Sequence, residues 1–391
     1  MSKRNLHDLV KDRIFILGVT VVASLVAVLL LPSQSAASYF SYLLAVVVLM
    51  TGHQWRDIFS VGLFQASVAL VLWLCISTLW SEFDELRDAV SIWINAVLVI
   101  SFVVAAAECQ MRGQVQRWIG PAFAIAGALA ATAAIANYFI MSPEDGRLQG
   151  LGQLSSHVVA ALVFGGMLVV LLHRFFLSHH TPLRLLLVLA ATTLAAAVLL
   201  TASRNGWFAA SFGILILIFA HLFNVREFRV SLMSACTISL LFTWIVLETP
   251  ILRAFFLPRG DSFRLTIWPE FFDTISQSPI VGLGIATSTS FVEVDGITFD
   301  HAHSMYISIL YQGGIVALLL FFAVIVRTLV VFLRNYDLAD AKLGLALFGV
   351  ALAGFLWDGH ELIDKVGATW ILFWFPVAIA IDIEWRNHQR T

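Results

Sequence analysis

The chain has 391 residues, of which 60% are hydrophobic and 12% charged, with a formal net charge of −2. A water-soluble domain carries about 25% charged residues, so the composition excludes an ordinary soluble enzyme, although the length would hold two or three soluble domains. A near-neutral chain of this kind also gives no reason to expect a nucleic-acid partner. Lipid is the solvent that accommodates so much apolar surface.

About 20 apolar residues are needed to cross the hydrocarbon as a helix. Taken in chain order, apolar runs fall near 14–31, 39–51, 58–80, 89–107, 118–141, 157–172, 185–201, 207–223, 230–247, 314–331, 343–357 and 367–381. The first run is of full spanning length and leads into Pro32-Ser33-Gln34-Ser35, which is not a convincing cleavage site, so it reads as a span rather than a removable signal. Helices are the default in lipid because they satisfy every backbone polar group internally, and no alternating pattern suggests a barrel. The expectation is an all-α polytopic membrane protein of about twelve transmembrane helices, with residues 1–391 forming one transmembrane domain. Three cysteines, Cys75, Cys109 and Cys236, show no disulfide or metal-binding spacing.

Loop charge supplies an orientation. With the N-terminus placed in the cytoplasm and the spans alternating, all but seven of the 23 Lys and Arg fall on inner segments, in accord with the positive-inside rule. Both termini are then cytoplasmic. The seven exceptions are Arg87, Arg147, Arg204, Arg253, Arg259, Arg264 and Lys365. Six of them are arginine, whose planar fork matches phosphate oxygens. Arg147 sits in Gly146-Arg147-Leu148-Gln149-Gly150, and Arg204 in the tight turn Ala202-Ser203-Arg204-Asn205-Gly206. Taken singly, each could snorkel to headgroups or pair with an outer carboxylate. Three arginines in separate loops at one membrane level point to an anion.

One outer loop is long, covering 248–303. It holds Pro258-Arg259-Gly260-Asp261, an amphipathic stretch over 263–275, the turn-rich segment Ser278-Pro279-Ile280-Val281-Gly282-Leu283-Gly284, and the approach to the next span, Asp300-His301-Ala302-His303. Phe255, Phe256, Phe263, Trp268, Phe271 and Phe272 suggest a lid lying in the membrane interface. Side chains at i and i+2 of a helix diverge, so His301 and His303 do not read as a metal pair. Either one facing the outer boundary could accept a proton near neutral pH, with Asp295 or Asp300 to orient it. Alternatively, it could simply be tied to the loop. His360, between Asp358 and the nearby Glu361, is a weaker candidate.

Read in order, Arg264-x-x-x-Trp268, Pro279-x-x-Gly282-x-Gly284, His303-Ser304-Met305-Tyr306 and Gly313-Gly314 resemble the O-antigen ligase and O-antigen polymerase superfamily. The Ser203-Arg204 turn and the Gly146-Arg147 loop look like features of the same group. The likeness runs from about residue 146 to 320; the first four spans match only in hydrophobicity. The family often has Asn after the histidine, where this chain has Ser304.

The resemblance implies an inverting, metal-independent glycosyltransferase of the GT-C-like multi-span class, without a cofactor, in the bacterial inner membrane and surrounded by its lipids. Its donor would be a glycan on undecaprenyl diphosphate at the periplasmic face. A ligase passes that glycan to lipid A-core in lipopolysaccharide biosynthesis, and this is the working expectation. An O-antigen or exopolysaccharide polymerase, which extends another lipid-linked repeat, is the alternative. By resemblance and position, Arg204 and Arg264 would hold the diphosphate, with Arg147 as a third, His303 would activate the acceptor hydroxyl, and His301 is an alternative base or helper. Preorganised arginines suit the charge that grows on a departing diphosphate. A lipid-linked glycan flippase or transporter is the reading from a different class. Transporters usually carry ionisable residues at mid-membrane, and these spans carry almost none away from their ends.

Overall fold

The computed structural model describes residues 3–50, 55–82, 85–110, 120–249, 264–287, 292–294, 297–299, 301–359 and 361–389. Among the described residues, fourteen α-helices form in this order: α1 (Lys3–Leu30), α2 (Gln34–Met50), α3 (Trp55–Phe59), α4 (Gly62–Ile76), α5 (Leu86–Gln110), α6 (Gly120–Met141), α7 (His157–Leu177), α8 (Thr181–Leu200), α9 (Arg204–Leu222), α10 (Val225–Glu248), α11 (Arg264–Ile275), α12 (Met305–Arg334), α13 (Ala339–Gly354) and α14 (Phe375–His388). A turn of π-helix, Trp370–Trp374, leads into α14. Each of the twelve apolar runs falls on a helix. Among the described residues, seven helices are long and apolar enough to cross a membrane by length and composition: those starting at Gly62, Leu86, Gly120, His157, Thr181, Arg204 and Met305. Two shorter apolar helices, Phe15–Leu30 and Ser35–Met50, accompany them. The protein is a polytopic membrane protein built on α-helices, and many of its large apolar side chains face outward, as a lipid solvent requires.

At the centre, α9 packs against both α7 and α13. A Cβ at Gly206 of α9 would collide with Ala161 of α7, so the glycine sets how closely those two helices approach. The ends of α8, α9, α12 and α13 alternate so that one end of the bundle gathers the start of α9, the start of α12 and the finish of α13. The loop between α6 and α7 also lies there, its Leu148 N–H bonded to the Leu200 carbonyl at the finish of α8 (3.0 Å).

Within the long loop, the described part of the amphipathic stretch expected over 263–275, Arg264–Ile275, forms α11. A two-stranded antiparallel hairpin follows, β1 (Val292–Val294) with β2 (Ile297–Phe299), in the register Val292↔Phe299. Between them, the segment Ser278–Gly284 enters a break in α12. Gly314 has φ +65° and ψ −165°, which stops the helix for one residue. The break exposes backbone groups, and the loop satisfies them. Leu283 and Gly284 N–H donate to the Tyr311 and Gln312 carbonyls (2.8 and 2.9 Å), and Ile315 N–H donates to the Pro279 carbonyl (2.9 Å). Trp73 and Trp80 close the joint by donating from their indoles to the Gly313 and Gly282 carbonyls (2.8 and 3.2 Å). Gly282 (φ +73°) faces Gly314 backbone to backbone, leaving no room for a Cβ on either. The Pro-x-x-Gly-x-Gly and Gly-Gly motifs are therefore two halves of one joint fixing the long loop to the bundle.

Candidate functional site

A helix ends with carbonyls that have no partner inside it, and at the finish of α13 those carbonyls collect donors from three other elements. The Gly354 carbonyl accepts from Asn205 Nδ2 of α9 (3.0 Å). Phe355 accepts from the Met305 N–H that begins α12 (3.0 Å). Trp357 accepts from Arg264 Nε of α11 (2.9 Å). A cation at a helix C-terminus also gains from the helix dipole, so Arg264 is doubly placed.

Arg264 and Trp268 stand four residues apart on one face of α11, and both reach this turn. The Trp268 indole donates to the Ala302 carbonyl (2.9 Å), and its ring stacks on Trp357 with centroids 5.7 Å apart and an interplanar angle of 17°. The Arg-x-x-x-Trp spacing thus clips the lid helix to the two segments that carry His303 and Asp358.

His303 Nδ1 lies 3.3 Å from Asp358 Oδ1. Burial alone would raise the Asp358 carboxyl. The hydrogen bond and charge of His303, the Gly359 N–H and the charge of His301 outweigh it and hold the carboxyl below its ordinary value. A carboxylate on Nδ1 leaves Nε2 of the ring as the proton acceptor. The His301 and His303 rings are 3.9 Å apart, centroid to centroid. This corrects the expectation that the pair diverges. Both residues precede α12, which starts at Met305, and His303 has φ +50°, so helical spacing does not apply and the rings turn toward each other.

The arginines of the α6–α7 loop and of α9 are joined by a similar device. Arg147 Nε donates to the Thr201 carbonyl at the finish of α8 (3.1 Å), and the loop backbone is held by Asp145 accepting from Arg147 N–H (3.1 Å). Three residues beyond Thr201, Arg204 opens α9, where Ser203 caps the helix by accepting from Gly206 N–H (3.2 Å). A cation in the first turn opposes the helix dipole. Cation and helix N-terminus together favour an anion in front of them.

The structure therefore brings His301, His303 and Arg264 directly to the turn from Gly354 to Asp358. It brings Arg204 there through its neighbour Asn205, and Arg147 one step further out through Thr201. Asp295, Asp300 and His360 lie outside the described residues, as do Arg253, Arg259, Phe255, Phe256 and Phe263. Asp358 and Asn205 are the two residues that sequence reasoning did not single out. Asp358 could have been found as a carboxylate at the end of a run finishing on the same side as His303. Asn205 offered no signal beyond lying next to Arg204. Among the described residues, non-glycine residues with positive φ are Ser142, Ala202 and His303 (44°, 49° and 50°). One stands at the start of the Arg147 loop, one in the Arg204 turn, and the third is His303 itself. Such conformations cost about 1–3 kcal/mol each and gather at functional sites.

Residues 185–322 match the family model described as O-antigen ligase, a segment that contains Arg204, Arg264, His301, His303 and the Gly313-Gly314 break. An O-antigen ligase from Pseudomonas aeruginosa is 28% identical to this chain over 121 residues, covering 31% of this chain and 30% of the relative. In this segment the chain is similar to the O-antigen ligase superfamily. The alignment spans under a third of the curated ligase's own length. Arg147 and Asp358 lie outside the segment matched to the O-antigen ligase family, so their place in the site rests on this chain's own geometry.

Proposed function

We propose that this protein is an inverting glycosyltransferase that moves a glycan from undecaprenyl diphosphate to lipid A-core, acting as an O-antigen ligase in lipopolysaccharide biosynthesis. The observation that carries the proposal is the His303–Asp358 pair on the turn that also binds Arg264 and, through Asn205, the start of α9.

In this reading, His303 Nε2 takes the proton of the acceptor hydroxyl as its oxygen attacks the anomeric carbon. The bond from that carbon to the diphosphate oxygen breaks as the new one forms, inverting the configuration in one displacement without an enzyme nucleophile. Asp358 holds the ring through Nδ1 and stabilises the imidazolium once it is formed. Arg204 and Arg264, with Arg147 behind them, stabilise the charge left on the diphosphate, and the arrangement requires no metal. The bundle crosses the inner membrane about twelve times in a GT-C-like arrangement, as one transmembrane domain with residues 248–303 as a periplasmic lid. The site faces the periplasm and both termini face the cytoplasm, as the loop charges favour.

The test uses purified protein in lipid nanodiscs, supplied with the lipid-linked glycan and each acceptor in turn. Transfer to lipid A-core supports the ligase. Growth of a second lipid-linked repeat would instead make it a polymerase. Transbilayer movement without transfer would overturn the enzymatic reading.

A further inference from the structure

His301, His303 and Asp358 offer one ligand atom each, and those three atoms all lie within 4.8 Å of one another. Ligand atoms about 2.0–2.1 Å from a tetrahedral zinc are separated by about 3.3 Å. The Nδ1–Oδ1 separation of His303 and Asp358, 3.3 Å, already equals that value, and the His301 ring stands against the His303 ring with centroids 3.9 Å apart. The cluster is reachable: the His303 and Asp358 side chains keep 29% and 13% of their surface exposed. Two imidazoles and one carboxylate form a borderline donor set. Such a set suits Zn²⁺, Ni²⁺ or Cu²⁺ and discriminates against Mg²⁺ and Ca²⁺, which prefer oxygen ligands.

We propose that His301, His303 and Asp358 form an inhibitory site for a divalent cation of the zinc class. The ion occupies imidazole lone pairs and the carboxylate, so His303 can neither be oriented by Asp358 nor take the acceptor's proton. Three protein ligands leave a fourth position open to water. This departs from the sequence expectation of no metal for a physical reason: that expectation had the i, i+2 pair diverge on a helix, whereas the fold turns the two rings together and supplies Asp358 from the far end of α13. The ion is not needed for transfer; it blocks it. The inhibitory half rests on the transferase reading, whereas the binding half does not.

The experiment uses the full chain in nanodiscs, stripped with a chelator and titrated with Zn²⁺ by calorimetry, with Mg²⁺ as the control. We expect uptake of one Zn²⁺ per chain and none of Mg²⁺. His301→Ala and Asp358→Asn should each weaken Zn²⁺ binding at least about tenfold. Thermal unfolding of each variant is followed in parallel, and His301→Gln replaces His301→Ala if the latter does not fold. In the transfer assay, stoichiometric Zn²⁺ should suppress activity and the chelator restore it. No stoichiometric uptake by the wild type, or equal affinity in both variants, overturns the site. Uptake with unchanged or faster transfer overturns the inhibition. Should the stripped protein transfer no glycan at all, the transferase reading fails, while calorimetry still decides whether the ion binds.

Discussion

The two ends of the bundle handle their charges differently. At the end away from the site, cations meet carboxylates. Arg327 of α12 donates to Glu384 of α14 (2.5 Å), which also accepts from the Leu63 N–H at the start of α4 (3.3 Å), and Arg386 lies 2.7 Å from Asp382. One helix start there carries a capping box, Asn224 with Glu227 at α10. At the site end, Arg147 and Arg264 are held through Nε by backbone carbonyls, and Arg204 sits where the helix dipole disfavours it. A bond to a neutral carbonyl orients the guanidinium without cancelling its charge. One end is held by side-chain ion pairs, and the other gathers arginine-to-carbonyl bonds and left-handed backbone, which the proposed function assigns to an anion.

The largest expected effect that tests this contrast is at His303. His303→Ala should lower transfer by about 10²- to 10⁴-fold, the range of a general base, while the protein still inserts and elutes as the wild type does. Initial rates with the lipid-linked donor measure it, and a variant within a factor of two of wild type would remove the proposed base. Next in size come the arginines. Arg264→Ala and Arg204→Ala should each cost about 10²- to 10³-fold in transfer rate, as loss of a donor to developing negative charge does elsewhere. Arg204→Lys keeps the charge and removes the fork. Full activity in that variant would make the requirement one of simple charge rather than geometry.

How much of this could be read in advance depends on the range over which a feature is encoded. Each apolar run marks its helix because lipid imposes one length and one composition on every span. The arginines stood out because positive-inside charge is also a local rule, and Arg264 with Trp268 is a local spacing on one helix face. His303 was legible as a residue, but its conformation was not: its left-handed φ lies between the Trp268–Ala302 and Met305–Phe355 bonds, which tie its two flanks to distant parts of the chain. The Asp358 partnership joins residues 55 positions apart and depends on where α13 stops. The joint between Gly282 and Gly314 was visible as two glycine motifs, yet nothing local says that one docks into the other.

A smaller effect is expected at the opposite end, and of a different kind. Arg327→Ala leaves the Glu384 carboxylate, 8% exposed, without its cation. Loss of a partner to a buried polar group costs about 1–3 kcal/mol. Half of the Arg327 side chain is already in contact with its surroundings outside the bundle (47% exposed), which places the value toward the lower end. The thermal midpoint should fall, while transfer per folded molecule stays at the wild-type level. A loss of transfer as large as that of Arg264→Ala, with stability intact, would mean that the two ends do not divide the work in this way.

The smallest effect concerns pH and the Asp358 carboxyl. Its folded value is held below the ordinary one, about 3.9, against the opposing pull of burial and mainly through His303. A depressed carboxylate contributes stability that is fully present above the unfolded value and is lost as pH falls through the folded value. Above the unfolded value the contribution of the carboxylate is present, and Asp358→Asn should lower the thermal midpoint there. Below about pH 4 the unfolded chain gains its proton first and the wild type loses its advantage, so the two midpoints should converge. The measurement is a pair of melting curves at each pH in one nanodisc composition. Midpoints that stay equally separated at acid pH would show that Asp358 stabilises the turn as a hydrogen-bond acceptor of fixed value rather than as a charge. The pairing with His303 would then be a matter of shape, and the site end would lose the electrostatic character that sets it apart from the other.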